Sequence, residues 1–307
     1  MPTKRSKSAP PGDTLDLEAK SVRALNDASI GKEAKQALKA AVKRLQSTRI
    51  PEKRELLRVG VDLGTASIIV MVIGADGMPL ATELQTAQVA RDGLVVDYIG
   101  AVDITRRLVG KLEQRLGLKL TTAAIAMPPG VNPAECSAHR HVVEASGLQV
   151  SAVLDEPTAA GTVLGISDGV VVDIGGGTTG LSVFQDGKVV YVADEATGGT
   201  HVALVLMGRY GIDFDKAEAM KLKPSKAEDV RVAVLPVMEK MASIVKRHIS
   251  GHEVNKIWLV GGTSALKGIE KVFADTLGIE TVKPPHPMMV TPLGIAMNST
   301  PAPQEVS

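Results

Sequence analysis

The chain has 307 residues, 2% of them aromatic, with a single cysteine and a formal net charge of +1. This length accommodates two domains sharing a cleft, and with so few aromatics the cores must be built from Val, Ile, Leu and Ala in sheet-and-helix layers. One cysteine excludes an intramolecular disulfide framework, near-neutral charge excludes an overall basic field for nucleic acid or anionic lipid, and the polar residues after Lys4-Arg5 do not make a signal peptide or membrane span, so a cytoplasmic α/β protein is expected.

In chain order, residues 1–12, rich in Pro, Ser, Lys and Arg, read as disordered. Over 15–45 the pattern turns helical, with Val22, Leu25, Ile30, Ala34, Leu38, Ala41 and Leu45 on one apolar face interrupted near Gly31. That segment is either a docking or targeting helix, or a helix packed on its own domain or in a coiled dimer. Pro51 opens a first lobe: a sheet unit, a helix over 99–116, a strand at 123–126, a helix over 133–146, a strand at 151–154 and a short helix at 158–164. A second lobe repeats the sheet from Val170, then adds helices near 200–221 and 229–249, a strand at 256–260 and a helix over 265–276. The expected divisions are an extension at 1–50, lobes at 51–165 and 166–297, and a flexible tail at 298–307.

The two sheet units are an internal duplication. Val59-Gly60-Val61-Asp62-Leu63-Gly64-Thr65 returns as Val171-Val172-Asp173-Ile174-Gly175-Gly176-Gly177-Thr178, and each copy continues into an alternating strand and an Asp-Gly hairpin, Asp76-Gly77 or Asp186-Gly187. A tight glycine turn after a strand exposes N–H groups that cradle phosphate oxygens, and an aspartate at the strand end holds a hydrated Mg²⁺. Facing each other, two such turns clamp one polyphosphate. Gly175, Gly177 and Gly180 also satisfy the dinucleotide fingerprint, but the residues after them alternate like a strand where that fingerprint needs a helix.

Three further motifs extend the nucleotide reading. Gly261-Gly262 ends a strand before a helix, where backbone approaches a flat adenine ring closely. Glu218 and Lys221, three apart on one helical face, either grip ribose hydroxyls or form an ordinary exposed ion pair. In Asp155-Glu156-Pro157-Thr158, Glu156 either orients an attacking water or, with Asp155, simply favours the positive helix end. Cys136, His139 and His141 do not share a helix face, so a metal there is not expected, and the Walker pattern is absent.

In this order the motifs resemble the ATPase superfamily of actin, sugar kinases and DnaK-type heat-shock chaperones. A closer resemblance, over 57–297, is to the chaperone-like proteins of ethanolamine utilisation; it rests on Arg91-Asp92-Gly93-Leu94-Val95-Val96-Asp97, Met127-Pro128-Pro129-Gly130, Asp194-Glu195-Ala196-Thr197-Gly198-Gly199 and Met289-Val290-Thr291-Pro292-Leu293-Gly294. The resemblance implies two actin-like lobes, each a duplicated ribonuclease-H-like mixed sheet with flanking helices, and ATP with Mg²⁺ in the interlobe cleft. It implies Asp62 and Asp173 at the metal, with Asp173 also catalytic. Gly64, Thr65, Gly175, Gly176, Gly177 and Thr178 then meet the phosphates, Glu156 the hydrolytic water, Glu218 and Lys221 the ribose, and Gly261 and Gly262 the adenine.

DnaK-type chaperones carry an aspartate where this chain has Gly180, and the short span from Thr82 to Arg91 lacks the insertion that brings their catalytic lysine. Binding with slow hydrolysis is therefore expected, and Gly180→Asp is expected to raise hydrolysis. No β-sandwich for gripping peptides is expected after the last motif. The expected role is a chaperone-like nucleotide switch, at most a weak ATPase, in the cytoplasm or at a bacterial microcompartment. Its expected partners are ethanolamine-utilisation or related microcompartment enzymes or shell proteins, with no nucleic acid and no membrane span. The alternatives are a filament-forming protein of the bacterial shape and division type, and a small-molecule kinase.

Overall fold

The structure is a computed structural model, describing residues 30–52, 55–91, 94–130, 133–221, 223–302 and 305–306. Helix α1 (Lys32–Lys43) comes first, followed by strands β1 (Arg58–Leu63), β2 (Ser67–Ile73) and β3 (Pro79–Thr86). A two-residue ladder, β4 (Ala90–Arg91) with β5 (Leu94–Val95), leads to helix α2 (Tyr98–Leu116), β6 (Leu118–Lys119), β7 (Thr122–Met127), α3 (Pro133–Ala145), β8 (Gln149–Asp155) and α4 (Glu156–Leu164). The second half holds β9 (Gly169–Ile174), β10 (Thr179–Gln185), β11 (Lys188–Glu195), α5 (Gly199–Tyr210), α6 (Phe214–Lys221) and α7 (Ala227–Ile249). It ends with β12 (Lys256–Val260), α8 (Ile269–Leu277), β13 (Glu280–Val282), α9 (Val290–Met297) and β14 (Glu305–Val306), which pairs back onto β6.

The duplication in sequence is a duplication in topology. One sheet runs β3-β2-β1-β7-β8 and the other β11-β10-β9-β12-β13, each an antiparallel three-strand meander extended by two parallel strands. Both Asp-Gly hairpins form, with Gly77 at φ 73° and Gly187 at φ 72°, a backbone that glycine adopts without steric cost.

Strand alternation decides which side chains see the centre of the molecule. Val59, Val61 and Leu63 face the outer core of the first lobe, and Val170, Val172 and Ile174 that of the second. The residues between them, Gly60, Asp62, Val171 and Asp173, consequently face inward. Between the sheets lie α4 and α9, with Ala160, Val163, Leu293 and Ala296 in a central core that also takes Met71 and Ile73 from one sheet and Val171, Trp258 and Val260 from the other. Small residues set the spacing: a Cβ on Gly294 would fall 1.9 Å from the Ala159 carbonyl oxygen, and one on Gly60 would fall 2.5 Å from the Ala296 nitrogen.

Helix α1 belongs to this core. Ile30, Ala34, Ala37, Leu38 and Ala41 are buried in the central layer, and the Arg115 guanidinium donates to the carbonyls of Arg44 and Ser47 (both 2.6 Å) beyond the helix end. The earlier part of the expected 15–45 helix lies outside the described residues. One expectation needs correction. The helix over 265–276 is broken into a 3₁₀ turn, Thr263–Ala265, and α8, because Gly268 at φ 76° interposes. The segment carrying Pro292 and Gly294, for which the sequence predicts no element, is α9: Pro292 falls in the first turn, where its missing N–H costs nothing.

Candidate functional site

The two duplicated turns close the same hydrogen bond. Gly64 N–H donates to Ser67 O and Gly175 N–H to Thr178 O, each at 3.0 Å, so the chain doubles back directly after Asp62 and after Asp173. The turns meet across the cleft: a Cβ on Gly176 would lie 3.0 Å from Ala66 Cβ and 3.5 Å from Thr65 Cβ. The carbonyls of the second turn are held by the start of α5 and by Thr263. Gly175 O accepts from Gly199 N–H (3.0 Å) and Thr263 Oγ1 (2.7 Å), and Gly176 O accepts from Thr200 N–H (2.8 Å). A glycine turn whose carbonyls are engaged in this way is suited to cradling an anion with its remaining N–H groups.

Four carboxylates converge beside these turns. Burial, reinforced by Asp173, raises the Asp62 carboxyl to about 7. Burial raises Asp173 to about 6 against the opposing effect of a hydrogen bond from Thr291. Glu156 is pushed well above its ordinary value by burial and then by Asp173, Asp62, Asp194 and Asp155. Asp194 rises to about 7, chiefly through burial, although a hydrogen bond with Thr178 opposes the shift. Every charge acting on Asp62 and Glu156 is negative. Such an arrangement is short of a cation. Among the described residues no three His, Cys, Asp or Glu side chains are close enough together to hold one ion directly. The all-oxygen donor set suits a hard, strongly hydrated ion such as Mg²⁺, held through its water shell.

Asp155 and Glu156 separate into two roles. Asp155 caps α4, accepting from Thr158 N–H (2.8 Å), and also accepts from Ser182 Oγ on β10 (3.0 Å), so it joins the helix to the second sheet. Glu156, one residue on, is the carboxylate that senses Asp62 and Asp173.

The expected adenosine residues lie against the second turn. Gly261, at φ 86°, runs so close to Asp173 that a Cβ would fall 2.2 Å from Oδ1. Gly262 is open, with Met288 Cγ nearest at 3.9 Å. Lys221 Nζ donates to Glu218 (2.6 Å) and to the Gly199 carbonyl (2.9 Å), so the pair is a partly buried clip on the start of α5 rather than a loose surface ion pair. Gly199 in turn contacts Gly175, which brings Glu218, Lys221, Thr263 and the glycine turn to one place.

Two residues escaped the sequence reading as site residues. Asp194 stands directly across from Gly180 in the β10–β11 register, with Oδ1 3.4 Å from where a Gly180 Cβ would be and with no hydrogen-bond partner for that buried oxygen. The carboxylate missing from β10 is thus supplied at the same corner by β11. Thr291, at the start of α9, donates to Asp173 Oδ2. The signal for both was their presence in motifs that carried the resemblance; their partners are far away in sequence.

Residues 141–292 match the sequence family described as Type IV pilus assembly protein PilM. The ethanolamine utilization protein EutJ of Salmonella typhimurium is 45% identical over 241 residues, which span 78% of this chain and 85% of that protein. The crystal structure of EutJ from Carboxydothermus hydrogenoformans superposes with a TM-score of 0.81 at 45% identity, covering 86% of this chain and 98% of that one. MreB5 of Spiroplasma citri bound to ADP superposes with a TM-score of 0.62 at 19% identity over 80% of this chain and 95% of its own, a likeness of fold alone.

Proposed function

The chain belongs to the EutJ family of ethanolamine utilization proteins, within the actin, sugar kinase and DnaK-type ATPase superfamily, and from that premise we propose that it is a chaperone-like nucleotide switch binding Mg·ATP between its lobes. The observation that carries the reading is the meeting of two identically closed glycine turns, each preceded by an inward-facing aspartate. In this reading Gly64, Thr65, Gly175, Gly176, Gly177 and Thr178 bind the phosphates. Asp62 and Asp173 hold the metal through water, Glu218 and Lys221 meet the ribose, and Gly261 and Gly262 the adenine. Bound Mg²⁺ supplies the positive charge that both the phosphates and the carboxylate cluster call for.

In this reading Glu156 accepts a proton from an attacking water, and burial with the neighbouring carboxylates raises its affinity for that proton. The charges that shift Glu156 are those of neighbouring carboxylates, so in this reading the metal carries most of the developing charge and turnover is slow. The lobes, 51–165 and 166–297, then act as a clamp whose closure changes a partner surface. The partner belongs to ethanolamine utilisation or a related microcompartment pathway, as an enzyme or shell protein in the cytoplasm. Among the described residues no helix is long and apolar enough to cross a membrane.

Calorimetry with Mg·ATP, followed by single-turnover hydrolysis on the same sample, tests this reading. Saturable 1:1 binding with turnover ~10²-fold or more below that of a fully equipped site is expected, the cost of one missing positioned group. A protein that binds no nucleotide in the presence of Mg²⁺ contradicts it.

A further inference from the structure

Asp173 is held from outside its own sheet. Thr291, 4% exposed, donates its hydroxyl to Asp173 Oδ2, and Gly261 lies so near Oδ1 that a Cβ there would collide with it, so both carboxylate oxygens are closely neighboured. Thr291 sits in the first turn of α9, and α9 is seated on the first sheet: a Cβ on Gly60 would fall 2.5 Å from Ala296 N and 2.9 Å from Pro292 O. Gly60 precedes Asp62 by two residues on the same face of β1. One helix therefore abuts the strand that carries the first aspartate and hydrogen-bonds the second.

We infer that Thr291 is a positioning residue, which fixes the Asp173 carboxylate for the hydrated metal and, through α9, sets its distance from Asp62. A hydroxyl donor suits this task because it leaves the carboxylate ionised with lone pairs still free for metal-bound water, whereas a valine of the same shape offers no donor. The inference rests on the Mg·ATP reading of the site.

The test is the Mg²⁺-dependent gain in ATP affinity, measured by calorimetry in excess EDTA and again in saturating Mg²⁺. Wild type and Thr291→Ser should show the full gain. Thr291→Val should lose ~10-fold of it, as outer-shell partners of metal sites typically do, while affinity in EDTA stays unchanged. A purely structural role would lower thermal stability and affinity in both buffers alike. Thr291→Ala makes the same deletion without the β-branch and replaces the valine variant if that one does not fold. A donor-less variant retaining the full gain, or a serine variant losing it, overturns the positioning role alone. If wild type binds no ATP in either buffer, the proposed function fails and this inference with it.

Discussion

Gly180 shows how a single position takes its meaning from the strand beside it. Its sequence neighbourhood predicts that an added carboxylate would raise hydrolysis, but a Cβ there would fall 2.9 Å from Pro129 Cδ, and the Asp194 carboxylate already occupies the corner. Gly180→Asp should instead lower stability by about 1–3 kcal/mol from overpacking, with no gain in turnover. Thermal melts and single-turnover assays of that variant check this; faster hydrolysis in a folded variant would contradict it. Asp62, Asp173 and the glycine turns were legible as candidates because each is repeated within the chain. Asp194 and Thr291 were not, since the register of β10 with β11 and the seating of α9 bring them in. The raised carboxyls carry a sign. Asp62 at about 7, Asp173 at about 6 and Asp194 at about 7 bind protons in the native state at pH values where the unfolded carboxyl, near ~4, does not. Their contribution to stability is thus full below pH ~4 and is lost as pH rises toward about 7. In EDTA, the melting temperature should fall as the pH rises from about 5 to about 7, and Asp62→Asn should flatten the fall. An unchanged slope would separate Asp62 from the cluster.

At the level of the element, α1 and α9 matter most. The apolar face of α1 was visible in the sequence as a helix, but what it covers was not, because an amphipathic stripe does not name its partner. In the folded chain Leu38 is fully buried in the central layer, and Arg115 ties the following residues to β3 through the Thr82 carbonyl and Glu83. Leu38→Ala should cost about 2–5 kcal/mol. Deleting residues 1–50 should lower the melting temperature markedly, measured by calorimetry or circular dichroism; a truncated protein that melts like the full chain would show that α1 contributes little. Helix α9 was hidden by its Pro and Gly, residues that mark breaks in isolation and here allow close packing on α4 and β1.

For the whole molecule, the fold class and the matched sheets followed from the duplication, while the contact between the lobes depends on atoms that no periodicity reveals. The crossing of α4 and α9 is set by Gly294 against Ala159, and Gly294→Ala, whose Cβ would lie 1.9 Å from a carbonyl oxygen, must spread the two helices. It should destabilise by about 3 kcal/mol, the upper end of overpacking, or change the distance between the lobes seen by small-angle scattering. The central claim is that two halves of one chain, each ending a strand in aspartate and turning on glycine, serve a single ligand. A double-mutant cycle of Asp62→Ala and Asp173→Ala, read as Mg·ATP affinity by calorimetry, addresses it most directly. Each single variant should bind strongly more weakly, and the double variant hardly worse than the weaker single one, because either loss already breaks the shared clamp. Normal affinity in either single variant, or losses that simply add, would contradict the claim.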